Sequence, residues 1–131
     1  MTKPSSSFIV AGLLLLVLLL FVQVAAQAEQ KSQSDLEFIA RMNSLATDMY
    51  ERANKLDAKL AAVDPKAEGK KKRNQVRDNI KAFKERIRDE QRYMDGKDYK
   101  KEKSRKDQEK RMQKLQQELR QIEADMHVLG L

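Results

Sequence analysis

The chain predicts an all-α fold, an antiparallel three-helix coiled-coil bundle that follows an N-terminal signal peptide. Apolar residues recur in alternating three- and four-residue steps in three separate stretches, the narrow buried stripe of helices that pack on one another. The breakers inside the region 34–129 are Pro65, Gly69 and Gly96, and they divide it into segments of similar length. The composition, 36% charged and 5% aromatic with no Trp, suits long exposed helices around a thin core.

The N-terminus reads as a secretory address. Lys3 precedes Phe8 to Val22, fifteen apolar or glycine residues, and Ala26-Gln27-Ala28 then supplies the small-x-small pattern of a signal-peptidase site. Residues 1–28 are therefore expected to be removed between Ala28 and Glu29, leaving a secreted or periplasmic chain. The alternative is an uncleaved anchor, because Phe8 to Ala26 is a 19-residue segment interrupted only by Gln23. Residues 29–33 form a polar leader without a periodic pattern, expected to be disordered, and the helical domain is assigned to 34–131.

The first helix is expected over about 35–63. Ser34 and Glu37 have the spacing of a capping box, each side chain reaching a backbone donor of the other's turn. Ile39, Ala46, Ala53 and Leu60 form one row of its seam and Met42, Met49, Leu56 and Val63 the other. Asp64-Pro65 stops it, because proline disfavours helical geometry in the preceding residue and donates no hydrogen bond. Asp64 can then cap the next helix with Pro65 in its first turn.

The second helix, about 70–94, carries Ile80, Ile87 and Met94 in one row and Val76 and Phe83 in the other; Glu90 interrupts the second row. The third, about 98–129, carries Met112, Leu115, Leu119, Ile122, Met126 and Leu129, and its charged first part allows a start as late as Ser104, capped with Asp107. A single long helix through Gly96, giving a hairpin that oligomerises, is the alternative. The partner row changes sides between residues 83 and 112, however, and a turn at 95–97 accounts for that slip directly.

Charge is unevenly placed. The whole chain has 27 basic and 20 acidic residues, and of these 19 basic and 10 acidic fall between residues 66 and 111. Candidate anion contacts are the clusters Lys70, Lys71, Lys72, Arg73 and Lys100, Lys101, Lys103, Arg105, Lys106, which an antiparallel bundle places at opposite ends. Pairs such as Glu85 with Arg88, Glu102 with Lys106 and Asp107 with Arg111 have helical spacing and favour a solvated face.

Chemistry-bearing constellations are missing from the sequence. There is no cysteine, a single histidine (His127), no glycine-rich phosphate loop and no HExxH or EF-hand pattern. No catalytic, cofactor-binding or metal-binding residue is assigned, and an enzyme is not expected. The expected function is that of an extracytoplasmic interaction protein, an adaptor or holdase-like bundle that holds a protein partner or a second copy of itself. Glu90 and the polar start of the third helix motivate it, since they should leave part of the first helix's methionine-rich seam uncovered. The alternatives are a basic binder of anionic envelope or membrane surfaces, motivated by the excess in 66–111, and a coiled-coil spacer tethered through an uncleaved 8–26 segment. Nucleic acid is disfavoured by the scarcity of interleaved aromatics, which in the basic region are Phe83, Tyr93 and Tyr99.

Overall fold

Three helices follow one another in the computed structural model, which describes residues 32–131: α1 (Gln33–Ala61), α2 (Lys70–Asp95) and α3 (Glu102–Val128). The expected signal peptide, residues 1–28, and the expected cleavage junction at Ala28 and Glu29 lie outside the described residues. α1 begins at Gln33, so Ser34 lies in its first turn and not in front of it.

α1 ends at Ala61, just short of the expected 63. Its last turn tightens, with Val63 N donating to Leu60 O at 3.2 Å, and Asp64 Oδ1 then accepts from Lys66 N at 2.9 Å. Asp64 thus organises the turn around Pro65 through its own side chain. It does not cap α2, which opens at Lys70 behind Gly69, at φ 84° and with no side-chain cap. That left-handed backbone is open to glycine at no steric cost. The second connection, 96–101, repeats the device: Asp98 Oδ1 accepts from Lys100 N at 2.9 Å. α3 starts at Glu102 with Lys101 as its uncapped N-cap, so Ser104 is not its cap. At its far end Gly130, φ 79°, lets Leu131 N reach Met126 O at 3.0 Å and its own N reach His127 O at 2.9 Å. This is a Schellman closure, and it returns Leu131 to the core.

Contacts between the helices fix their directions. Asp35 meets Arg105 and Arg52 meets Glu123, so α1 and α3 run the same way. Arg86 meets Glu118 and Glu90 meets Arg111, so α2 runs against α3. The result is an up-down-up three-helix bundle, and the break at 96–101 removes the long-hairpin alternative.

The predicted seams form one core. Met42, Ala46, Met49, Ala53 and Leu60 from α1, Val76, Ile80, Phe83, Ile87 and Met94 from α2, and Met112, Leu115, Leu119, Ile122 and Met126 from α3 are all buried. Ile39, Leu56 and Leu129 are half-buried against this core, and half-buried Val63 lies in the turn beyond α1. Phe38 takes the deeper place next to Ile39. The core also extends past its apolar rows: Asp35, Arg73, Glu90 and Gln108, all buried, stand at the heptad positions that precede or interrupt them.

The expected uncovered stretch of the α1 seam does not exist in this fold. Tyr99, from the α2–α3 connection, is 1% exposed and packs its ring 5.0 Å from that of Phe38. A connection residue fills the space that Glu90 and the polar start of α3 leave.

Candidate functional site

The buried polar residues are engaged with one another. Tyr99 OH donates to Gln108 Oε1 at 2.9 Å, Gln108 Nε2 donates to Glu90 Oε1 at 2.7 Å, and Arg111 clamps Glu90 with Nε to Oε1 at 2.8 Å and Nη2 to Oε2 at 3.0 Å. The Arg111 guanidinium also lies 4.1 Å from the centre of the Tyr93 ring. Burial of its hydroxyl, with Tyr93 and Glu90 acting in the same sense and Arg111 against them, pushes the Tyr99 pKa up to about 12. The hydrogen bond to Glu90 raises the pKa of Arg111. Among the described residues no buried side-chain donor or acceptor lacks a partner, so this cluster is built to hold three chain segments together.

Two of the candidate anion contacts are also committed to the fold. Arg73 is buried, and its guanidinium donates to Glu68 O, to Ala67 O at 3.0 Å and to Asp64 O at 3.5 Å. Arg105 donates through Nε to Tyr99 O at 2.7 Å and through Nη2 to Asp35 Oδ1 at 2.7 Å. Lys106 lies 3.4 Å from Glu102, the helical pair its spacing indicates, whereas Arg111 pairs with Glu90 in place of Asp107. Lys70, Lys71 and Lys72 are exposed at the start of α2, and Lys100, Lys101 and Lys103 are exposed near the start of α3. His127 is exposed in the last turn of α3.

Between these two ends run grooves of unlike chemistry. In the α2–α3 groove Arg86 Nη2 meets Glu118 Oε1 at 2.8 Å, and Glu90 and Arg111 lie alongside. Across α1 and α3, Arg52 meets Glu123 at 2.5 Å. The α1–α2 groove is different. Arg77, Lys81, Lys84 and Arg88 line it from α2, with Tyr50 and Asp57 opposite on α1. Arg88 donates to the Tyr50 hydroxyl, and the Lys84 ammonium and the Arg88 guanidinium each lie 5.1 Å from the centre of the Tyr50 ring. None of the four cations forms an ion pair within 4.0 Å among the described residues.

These four residues are absent from the sequence-derived contacts, which followed local density of charge. Their signal is spacing: steps of four, three and four residues place them on one side of a helix.

Compared with protein-family models, curated proteins and solved structures, the chain matches none. Among the described residues no group of three or more His, Cys, Asp or Glu side chains is arranged to hold a metal ion. No helix among them is long and apolar enough to cross a membrane.

Proposed function

We propose that the protein is a non-enzymatic helical binding protein that works outside the cytoplasm and engages an anionic partner or surface through α2 and the loops that flank it. The secretory half of this reading rests on the signal-like pattern of residues 1–28. The binding half is supported chiefly by one observation: the apolar seam is closed within a single chain, so what the molecule offers a partner is its outer surface, and the positive excess is concentrated there. Residues 66–111 carry 19 basic and 10 acidic side chains, and no member of the α2 stripe Arg77, Lys81, Lys84 and Arg88 forms an ion pair within 4.0 Å among the described residues. A holdase with a methionine groove has less support. Met42, Met49, Met94, Met112 and Met126 are all buried, and among the described residues the large apolar side chains left exposed, Leu36, Tyr93 and Val128, are single residues on three different helices.

Binding of the purified protein to anionic and to neutral vesicles and polymers, measured across a salt series, tests this. The expected result is binding to the anionic set alone, with affinity falling linearly on a log–log plot against salt as condensed counterions are released. Binding that ignores salt and favours apolar peptides would transfer the function to an adaptor that opens its seam. The mass of the processed chain, expected to begin at Glu29, tests the secretory half.

A further inference from the structure

We infer that the α1–α2 groove is a binding site for an acidic polysaccharide, laid along α2 with its anionic groups on Arg77, Lys81, Lys84 and Arg88 and its hydroxyls on Asp57 and Glu85. This rests on the anionic-partner reading and names the site and the ligand within it.

The cations come first. Arg77 to Arg88 spans eleven residue-to-residue steps, or about 16 Å along the helix at 1.5 Å per step, and helical spacing sets the four on one face over that length. A line of charge along a groove suits a chain with repeated anionic groups. The line is also pre-organised. Tyr50 receives a hydrogen bond from Arg88 and draws Lys84 and Arg88 to its ring, so these two side chains lose less freedom when a ligand arrives. Tyr50 is therefore a positioning residue.

The remaining lining selects the ligand. Both cations lie against the Tyr50 ring, so it offers no open platform on which a base could stack, and stacking is what single-stranded nucleic acid seeks. Asp57 and Glu85 line the same groove and form no ion pair within 4.0 Å among the described residues. A chain of bare phosphates would be repelled by these two carboxylates. A sugar chain has hydroxyls to donate to them while its sulfates or carboxylates meet the cations.

The test is calorimetric titration of the purified protein with heparin and with alginate, beside single-stranded DNA, polyphosphate and phosphatidylglycerol vesicles. Heparin and alginate separate sulfate from carboxylate as the recognised group; binding of either one supports the site. R77Q/K84Q/R88Q is expected to lose roughly tenfold or more in polysaccharide affinity, and its salt slope to fall by about one for each cation removed. K70Q/K71Q/K72Q, which removes the same charge from the end of α2, is expected to lose less than about threefold. D57N/E85Q is expected to weaken polysaccharide binding and to strengthen binding of polyphosphate. Helix content by circular dichroism accompanies each variant, and the single R77Q, at an exposed position, carries the test if the triple variant loses helix. Equal losses for the two triple variants would overturn the groove and leave the anionic-partner reading standing. Preference for DNA, polyphosphate or vesicles would overturn the ligand class, and no salt-sensitive binding to any of the five would overturn both readings.

Discussion

At the α1–α2 end of the bundle the guanidinium of Arg73 meets only backbone carbonyls, those of Glu68, Ala67 and Asp64. At the α2–α3 end Arg105 meets one carbonyl, that of Tyr99, and one carboxylate, that of Asp35. The two ends share a plan. Each connection turns on an aspartate side chain that accepts a backbone N–H two residues on, and each is then closed by an arginine at a heptad position of the next helix. They differ in what surrounds the arginine. At the first end the helix-to-helix packing is apolar, with Leu129 4.0 Å from where a side chain on Gly69 would begin. At the second, Glu90, Gln108, Tyr99 and Arg111 form a connected polar cluster. The lesson is that one arginine staple can finish a loop by itself, whereas a polar cluster requires every member, since a single loss strands its neighbours in low dielectric.

The largest effect that would break this distinction is at Glu90. Glu90→Ala leaves the buried amide of Gln108 and the half-exposed Arg111 without their acceptor, and is expected to cost about 3 kcal/mol. Arg73→Met, which leaves carbonyls that water can reach, is expected to cost about 1–2 kcal/mol. Urea midpoints of the two variants check the order, and a reversed order would mean that the loop staple outweighs the cluster. At alkaline pH the two ends should part again. The Tyr99 pKa is about 12 in the fold and about 10 in an unfolded chain, so the unfolded state ionises first and binds fewer protons. Stability from this group is complete below about pH 10 and falls by about 2 kcal/mol as the pH rises to about 12. The difference in stability between the wild type and Tyr99→Phe should therefore shrink over that range, while the difference between the wild type and Arg73→Met stays level. The smallest effect sharpens the comparison most. Glu90→Leu with Gln108→Leu and Tyr99→Phe removes both sides of the buried hydrogen bonds at once and is expected to change stability by less than about 1 kcal/mol. A large loss would mean that the cluster stabilises the fold outright as well as specifying how the segments meet.

This end of the molecule is also the least legible in the sequence. The apolar rows, the three helices and the two breaks follow directly from periodicity and from Pro65, Gly69 and Gly96, because burial of a stripe and the geometry of proline are local facts. Glu90 reads as a gap in the same pattern, since a two-letter alphabet of apolar and polar residues scores a polar seam position as a missing contact. It cannot register that Glu90, Gln108 and Tyr99, from two helices and a connection, satisfy one another. Arg73 and Arg105 were hidden for a related reason. Each stands in a dense basic run, and only its heptad position separates it from the solvated lysines beside it. Tyr99 offered the one direct hint, a lone large aromatic in an otherwise charged connection. On the surface, the stripe from Arg77 to Arg88 is legible as spacing but is less dense in charge than the clusters at 70–73 and 100–106.

Burial of Arg73 bears on how this molecule meets proteases. Lys70, Lys71 and Lys72 are exposed while Arg73 is closed over by the loop carbonyls, so a trypsin-like enzyme faces four adjacent basic residues of which the last is withheld. To be cut after Arg73 the chain must first withdraw that guanidinium from three carbonyls and unwind the opening turns of α2 into an extended strand. Cleavage there reports the opening of one end of the bundle, and its rate under limiting protease is a direct readout of how seldom that end comes undone.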